Sequence, residues 1–264
     1  MDLGLKGKTA IVTGSTAGIG FAIANVLAAE GAQVMVNGRT QARVDSALAN
    51  IKKNVASASV RGIAADLSTA AGVDKFTAQV SDVDILINNL GIFEPKPFAE
   101  ISDADWLRFF EVNVMSGVRL SRAYLPGMRK RNWGRILFIS SESAVQIPAE
   151  MIHYGMTKSA QIAVARGLAE ATAGTGITVN SVLPGPTMSR GVGDFVADWA
   201  AKSGKSAKSV EDDFFKTARP TSLIKRFATP QEVAAMVTYV ASPVSSATNG
   251  AALRVDGGVV RSAF

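Results

Sequence analysis

Short apolar runs alternate with longer amphipathic stretches along most of the chain. Seven runs read as strands: TAIVTG, AQVMVNG, SVRGIAADL, VDILINN, GRILFIS, GITVNSVLPG and AALRVDGG. They are rich in Val and Ile and apolar on both faces, as buried parallel strands are. Between them, helical stretches fall at about 18–30, 40–54, 69–80, 103–131, 155–174 and 230–241. This alternation predicts an α/β fold, a doubly wound parallel sheet of about seven strands with helices on both faces. One segment breaks the rhythm. From Thr187 to about Arg226 the chain is polar and carries several lysines, which predicts short helices outside the sheet. A long insertion after the C-terminal end of a strand is where a substrate lid sits. With no repeats and no low-complexity tail, residues 1–264 read as one domain with a lid insertion at about 187–226.

Composition narrows the chemistry. There is no cysteine, which excludes disulfides, thiolate catalysis and cysteine-rich metal sites. The single histidine, His153, leaves any metal site to be built almost wholly from oxygen ligands, and none is expected. The N-terminus lacks the apolar segment of a signal peptide, and no window approaches a membrane span, so a soluble, cytoplasmic protein is expected. A net charge of +6 suits an anionic ligand and raises nucleic acid as a rival. The densest basic run, Arg129–Arg135, reads as a solvated helix end, where cations are favoured.

The first strand leads through a glycine-rich turn into a helix, TAIVTGSTAGIGFAIANVLAAEG. Gly14, Gly18 and Gly20, with Ser15, Thr16 and Ile19 between them, suit the close approach of a pyrophosphate to a helix N-terminus. The second strand ends in VMVNGRT. Gly38 occupies the place of the acidic residue that binds a ribose 2′-hydroxyl, and Arg39 follows at once. A guanidinium pairs with a 2′-phosphate that a carboxylate would repel, so NADP(H) is preferred over NAD(H). Asn37 can assist, and Arg43 lies one turn on. Asp66, followed by Leu67, ends the third strand where it can meet the adenine amino group. Asn88, Asn89 and Gly91 follow the fourth strand, as cofactor neighbours or as plain turn residues.

The chemistry points to Tyr154 and Lys158, four residues apart on one helix face. A phenol of pKa about 10 is a poor acid–base catalyst near neutrality, and an adjacent ammonium lowers that value. Ser141, at the end of the fifth strand, can hold a carbonyl oxygen beside the phenol. Asn113, on the long preceding helix, can link Lys158 through water to solvent. His153 is next to Tyr154 in sequence, so its side chain points about 100° away around the helix. It reads as a structural or pocket-wall residue, with a substrate contact as the alternative, and not as the base.

In this order the chain resembles the short-chain dehydrogenase/reductase family over nearly its whole length. The resemblance rests on TGxxxGIG at Thr13–Gly20, Asp66, NNxG at Asn88–Gly91, Asn113, Ser141 with YxxxK at Tyr154–Lys158, and Pro184–Gly185. It implies a Rossmann-type fold and a catalytic tetrad of Asn113, Ser141, Tyr154 and Lys158. It also implies that Tyr154 exchanges a proton while hydride moves to or from nicotinamide C4. By the same resemblance Ser141 orients the substrate oxygen, Lys158 lowers the tyrosine pKa and binds the nicotinamide ribose, and Asn113 holds a relay water. Thr187 and Ser189 stand where the family contacts the carboxamide. Two departures stand out: Leu90 where alanine is commoner, and Ala17 where some NADP-preferring members are basic.

The substrate pocket is expected around Ser141, Glu142, Ile147, Met151, Tyr154 and Pro186, with Phe93–Phe98 and the lid. Family members similar to 3-oxoacyl-(acyl-carrier-protein) reductases imply an oxidoreductase that interconverts a ketone or 3-oxoacyl group and a secondary alcohol. The alternative is a catalytically silent NADP(H)-sensing regulator, which loss of a tetrad member would have favoured; none is missing. Nucleic-acid binding is not expected, since only 7% of residues are aromatic and such a binder needs them beside its charges. Arg122, Arg129, Lys130 and Arg131 can dock an acyl carrier protein or simply end a helix. The family habit, with the small-residue face after Lys158, implies a homotetramer or homodimer.

Overall fold

Each apolar run becomes a strand because its successive residues feed two cores. Ala10 and Val12 join the cluster on one face of the sheet, while Ile11 between them joins the other. Leu137 and Ile139 alternate in the same way with Ile136 and Phe138. Fully burying such a side chain stabilises by about 1.5–3 kcal/mol. The computed structural model describes residues 1–263, apart from the side chains of Arg190 and Phe195. Its strands are β1 (Thr9–Val12), β2 (Gln33–Gly38), β3 (Ser59–Ala64), β4 (Ile85–Asn88), β5 (Gly134–Ile139), β6 (Ile177–Pro184) and β7 (Ala252–Val255). They form one sheet in the order β3-β2-β1-β4-β5-β6-β7, with every neighbouring pair parallel. β1 and β4 are therefore neighbours whose connections leave in opposite directions. The crevice beyond their C-terminal ends is the ligand site of such sheets.

The helices are α1 (Gly18–Ala29), α2 (Gln41–Asn54), α3 (Ala70–Thr77), α4 (Asp103–Phe110), α5 (Ser116–Arg131), α6 (Ile152–Ala171), α7 (Arg190–Ser203), α8 (Ala207–Thr217) and α9 (Pro230–Val240). α1, α2 and α9 cover one face; α3, α5 and α6 cover the other. Their starts follow local chemistry. Ser102 and Asp105 form a capping box for α4, and Thr229 with Glu232 does the same for α9 behind Pro230.

Two differences from the sequence reading bear on function. The helix expected over 103–131 is interrupted by a π turn at Glu111–Met115, with Asn113 at its centre. A π turn shifts the hydrogen-bond ladder by one residue and re-aims its side chains. Helix α6 starts at Ile152, three residues early, so His153, Tyr154 and Lys158 all lie on it. The 187–226 segment forms α7 and α8 outside the sheet. It packs a small core of Val196, Val210, Phe215 and Phe227, with Trp199 and Phe214 against it. No helix among the described residues is long and apolar enough to cross a membrane.

Candidate active site

The glycine turn is held open by its neighbours. The Ser15 hydroxyl donates to Val12 O (2.6 Å) and accepts from Asn37 N (2.9 Å), and Ser15 N donates to Asn37 O (2.9 Å). Asn89 Nδ2 donates to Thr13 O (2.9 Å) and Gly14 O (3.3 Å), while Thr13 Oγ1 accepts from Asn89 N and Leu90 N (2.9 and 2.8 Å). β4 is thereby stitched to the turn after β1. A Cβ at Gly20 would lie 2.4 Å from Asn89 Nδ2 and 2.6 Å from Gly14 O, so only glycine lets α1 begin this close. The N-cap of α1, Ala17, makes no side-chain bond, which leaves the first amides of the helix for an anion. Ile19 packs on the first core.

At the end of β2, Asn37 is buried and its amide is engaged by the protein. Oδ1 accepts from Gly14 N (3.2 Å), and Nδ2 donates to Ile63 O and Ala65 O (3.3 and 3.1 Å). Its part is to tie three strand ends together. Gly38 is roofed by Thr16, whose Cγ2 would sit 2.5 Å from an added Cβ, so no carboxylate fits there without displacing Thr16. Arg39 is exposed and enters no ion pair among the described residues. The exposed Asp66 holds Ser68 N and Oγ (3.1 and 2.7 Å), whereas the Leu67 side chain belongs to the second core.

The chemical end assembles from four elements. Tyr154 and Lys158 lie one turn apart on α6, with Lys158 Nζ 5.5 Å from the tyrosine ring centre. Ser141, at the end of β5, stands near enough to the Tyr154 phenol to act against its raised pKa. Its Oγ donates to Glu142 Oε2 (2.5 Å) and accepts from Ser143 N (3.1 Å). Lys158 Nζ donates to Ile139 O (2.9 Å) and Gln161 Oε1 (3.3 Å). The Asn113 side chain is engaged by the protein: Oδ1 accepts from Ile92 N (2.8 Å), and Nδ2 donates to Ile92 O (3.0 Å) and Thr157 Oγ1 (2.9 Å). A Cβ at Gly91 would lie 3.4 Å from both Asn113 Oδ1 and Lys158 Nζ, so Gly91 keeps that floor clear.

The electrostatics differ from the simple expectation. Burial, reinforced by the Glu142 charge, holds the Tyr154 phenol above its ordinary value, against the lowering effects of Ser141 and Arg219. Burial pulls Lys158 down to about 8, partly opposed by Glu142. Lys158 directs its protons at Ile139 and Gln161, and the lowered phenol expected of its charge is not what this arrangement produces.

The remaining expected residues take these places. Glu142 is buried and its Oε1 accepts from Arg219 Nε (3.2 Å); Arg219 Nη1 also donates to Glu150 Oε1 (3.2 Å). Ile147 is half exposed and lies over Gly155, and Met151 sits at the start of α6. Pro184 and Gly185 pair with β7, and Pro186 O accepts from Ala228 N (2.9 Å). The Thr187 hydroxyl donates to Gly185 O (2.9 Å). Ser189, the N-cap of α7, makes no side-chain cap bond, and its Cβ would come 3.3 Å from an added Cβ on Gly18. It therefore sits against the glycine turn. His153 is fully buried, 4.0 Å from the Phe109 ring and 6.0 Å from Trp106 between centres, with neither nitrogen bonded among the described residues. It is a buried core residue. Arg219 was not visible to sequence reasoning: it is one basic residue in a polar segment, 77 positions from Glu142.

The profile of the short chain dehydrogenase family matches residues 8–200. The chain is 48% identical over 264 residues to the Uncharacterized oxidoreductase YvaG of Bacillus subtilis (strain 168), covering 100% of both. It is 31% identical to 3-oxoacyl-(acyl-carrier-protein) reductase FabG of Aquifex aeolicus (strain VF5), covering 98% of this chain and 100% of that one. L-sorbose reductase from Gluconobacter frateurii, solved in complex with NADPH and L-sorbose, superposes with a TM-score of 0.93 at 32% identity, covering 99% of this chain and 100% of that one. With its glycine turn, its crevice and its Ser–Tyr–Lys cluster at one end of a parallel sheet, the chain belongs to the short-chain dehydrogenase/reductase family of oxidoreductases.

Proposed function

We propose that the protein is an NADP(H)-dependent reductase that converts a small ketone into a secondary alcohol, with Tyr154 as the proton donor. The observation that carries this reading is the Ser141–Tyr154–Lys158 cluster at the mouth of the crevice, with the phenol held in its protonated form. The bound cofactor supplies hydride at nicotinamide C4. Ser141 and Tyr154 hydrogen-bond the carbonyl oxygen, and Tyr154 gives up its proton as charge develops there. Lys158 stands one turn behind the phenol and favours the phenolate once the proton has left. A phenol kept protonated at neutral pH suits reduction; oxidation needs the phenolate.

Arg39 supports the choice of NADP(H): it is exposed and has no ion pair among the described residues, beside Gly38, where Thr16 leaves no room for a carboxylate. Gly14, Ser15, Thr16, Gly18 and Gly20 would line the pyrophosphate, Thr187 and Ser189 would meet the carboxamide, and the segment at 187–226 would be the substrate lid. Between a 3-oxoacyl thioester and a hydroxylated ketone, the buried Glu142–Arg219 pair next to Ser141 favours the second. A carboxylate and a guanidinium recognise hydroxyl groups and gain nothing from an acyl chain. The half-exposed apolar groove of Val118, Leu125, Pro126, Val164 and Leu168 between α5 and α6 supports a homodimer or homotetramer packed on that face. A cytoplasmic location belongs to the same reading.

The test is loss of NADPH absorbance with acetoacetyl thioester and with ketoses, beside NADH and Tyr154→Phe. A ketose-dependent NADPH rate abolished in Tyr154→Phe is the expected result. A wild-type rate that survives in Tyr154→Phe refutes the mechanism.

A further inference from the structure

Helix α6 carries a third polar residue on the face of Tyr154 and Lys158. Gln161 lies one turn beyond Lys158 and is 1% exposed. Its Nε2 donates to the backbone carbonyl of Asn113 (2.5 Å), at the centre of the π turn, and its Oε1 accepts from Lys158 Nζ (3.3 Å). The orientation of the amide follows from chemistry. A carbonyl takes only a donor and an ammonium offers only donors, so the nitrogen must face Asn113 and the oxygen must face Lys158. The side chain of Asn113 is already engaged with Ile92 and Thr157. The connection from the π turn to Lys158 thus runs through a protein amide.

We propose that Gln161 is the positioning residue of the active site, an amide strut anchored on the Asn113 carbonyl that holds the Lys158 ammonium beside Tyr154. This catalytic role rests on the reductase reading above, but the strut itself does not. The Ile139 carbonyl and the Gln161 amide together fix two of the three directions in which Lys158 can donate, which leaves the third for the phenol and the cofactor side. A primary amide accepts a proton poorly, so the strut holds Lys158 in place without relaying its proton towards Asn113. The other charged or titratable groups acting on this pair are Glu142, which favours the lysine cation and opposes the phenolate, and Arg219, which favours the phenolate.

Two substitutions separate a strut from packing. Gln161→Met keeps the volume and removes both hydrogen bonds. Gln161→Glu puts a negative charge where the amide oxygen stood. The readout is carbon NMR of protein labelled at lysine Cε, in which the wild type is expected to show one lysine titrating near 8, assigned by its absence from Lys158→Arg. Its midpoint is expected to fall in Gln161→Met and to rise by about one unit or more in Gln161→Glu. If Gln161→Met does not fold, the direction of the shift in Gln161→Glu decides alone. Equal midpoints in wild type and variants, or no lysine titrating below the ordinary range, overturn the proposal. With any ketone whose reduction needs Tyr154, Gln161→Met is expected to lower kcat about tenfold with little change in the KM of the ketone. An unchanged kcat overturns the catalytic role. Absence of any Tyr154-dependent substrate counts against the reductase reading instead, and the lysine titration still decides on the strut.

Discussion

Arg219→Met tests whether the 187–226 segment is held to the catalytic end by a buried charge. The Glu142 side chain is 6% exposed and that of Arg219 10%, and the guanidinium is the cationic partner of the carboxylate that touches Ser141. Removing it leaves Glu142 buried with the Ser141 hydroxyl as its remaining side-chain donor. Breaking such a pair from one side costs about 3–5 kcal/mol, because the survivor stays desolvated. The lost contact with Glu150, which is half exposed, adds little. At about 2.1 cal/mol/K per residue, a chain of 264 residues has a melting entropy of about 0.55 kcal/mol/K, so Tm should fall by about 5–9 °C. The assay is calorimetry on Arg219→Met, Glu142→Gln and the double variant as a cycle. The double variant removes both charges and should recover most of the loss. Its oxidation rate should also peak at lower pH than that of Arg219→Met, where the Glu142 charge acts on the phenol without its counter-ion. A loss below about 1 kcal/mol in Arg219→Met, or no recovery in the double variant, would refute the reasoning, since both are what an exposed pair does.

Arg39→Ala should weaken NADPH relative to NADH by about 10–100-fold, the worth of a charge-assisted hydrogen bond, measured as the ratio of their KM values; an unchanged ratio would remove Arg39 from the cofactor site. His153→Leu should leave turnover within about threefold of wild type, because the ring is walled in by Phe109 and Trp106 and touches no reacting group. The same variant tests acid stability. Burial holds the folded His153 below the ordinary histidine value. Its contribution is therefore present above the unfolded pKa of about 6.5 and is lost as pH falls through the folded value. Denaturant midpoints should decline less steeply below about pH 6.5 in His153→Leu, and parallel declines would show that His153 is not the group responsible. Finally, the raised phenol predicts a reductive rate that stays flat across neutral pH and an oxidative rate that keeps rising into the alkaline range. The two pH profiles measured side by side check this, and a reductive rate falling from pH 7 upward would contradict it.

The sheet was legible because buried parallel strands leave an unmistakable signal. Runs such as VDILINN and GRILFIS have no polar face, and each became the strand expected of it. Glycine 20 was legible for an equally local reason: the turn needs it, and no other residue fits against Asn89. What stayed hidden depends on contacts far apart in the chain. The π turn at Asn113 does not alter the apolar spacing of 103–131 enough to be read, and the partner of its central side chain is the Ile92 backbone 21 positions earlier. Asn37 reads as a cofactor contact from its place at the end of β2, yet three backbone groups from other segments take up its amide. Arg219 carries no signal at all until folding brings it to Glu142.

The charges around Ser141 also join the 187–226 segment to the proposed catalytic end. In the proposed mechanism Ser141 turns its hydroxyl towards a substrate oxygen, yet in this arrangement it donates to Glu142 at 2.5 Å. Glu142 is in turn held by Arg219, which follows the second helix of the outer segment. A substrate hydroxyl that donates to Glu142 would take over the acceptor that Ser141 now uses and release the serine for the carbonyl. A ketone without such a hydroxyl offers Glu142 nothing in exchange. The same carboxylate would then favour hydroxylated substrates twice, once in binding and once in freeing Ser141, and the cost of mispairing it grows with its burial. Selectivity of this kind should appear in kcat as well as in KM, because in the proposed mechanism the serine acts on the oxygen where charge develops.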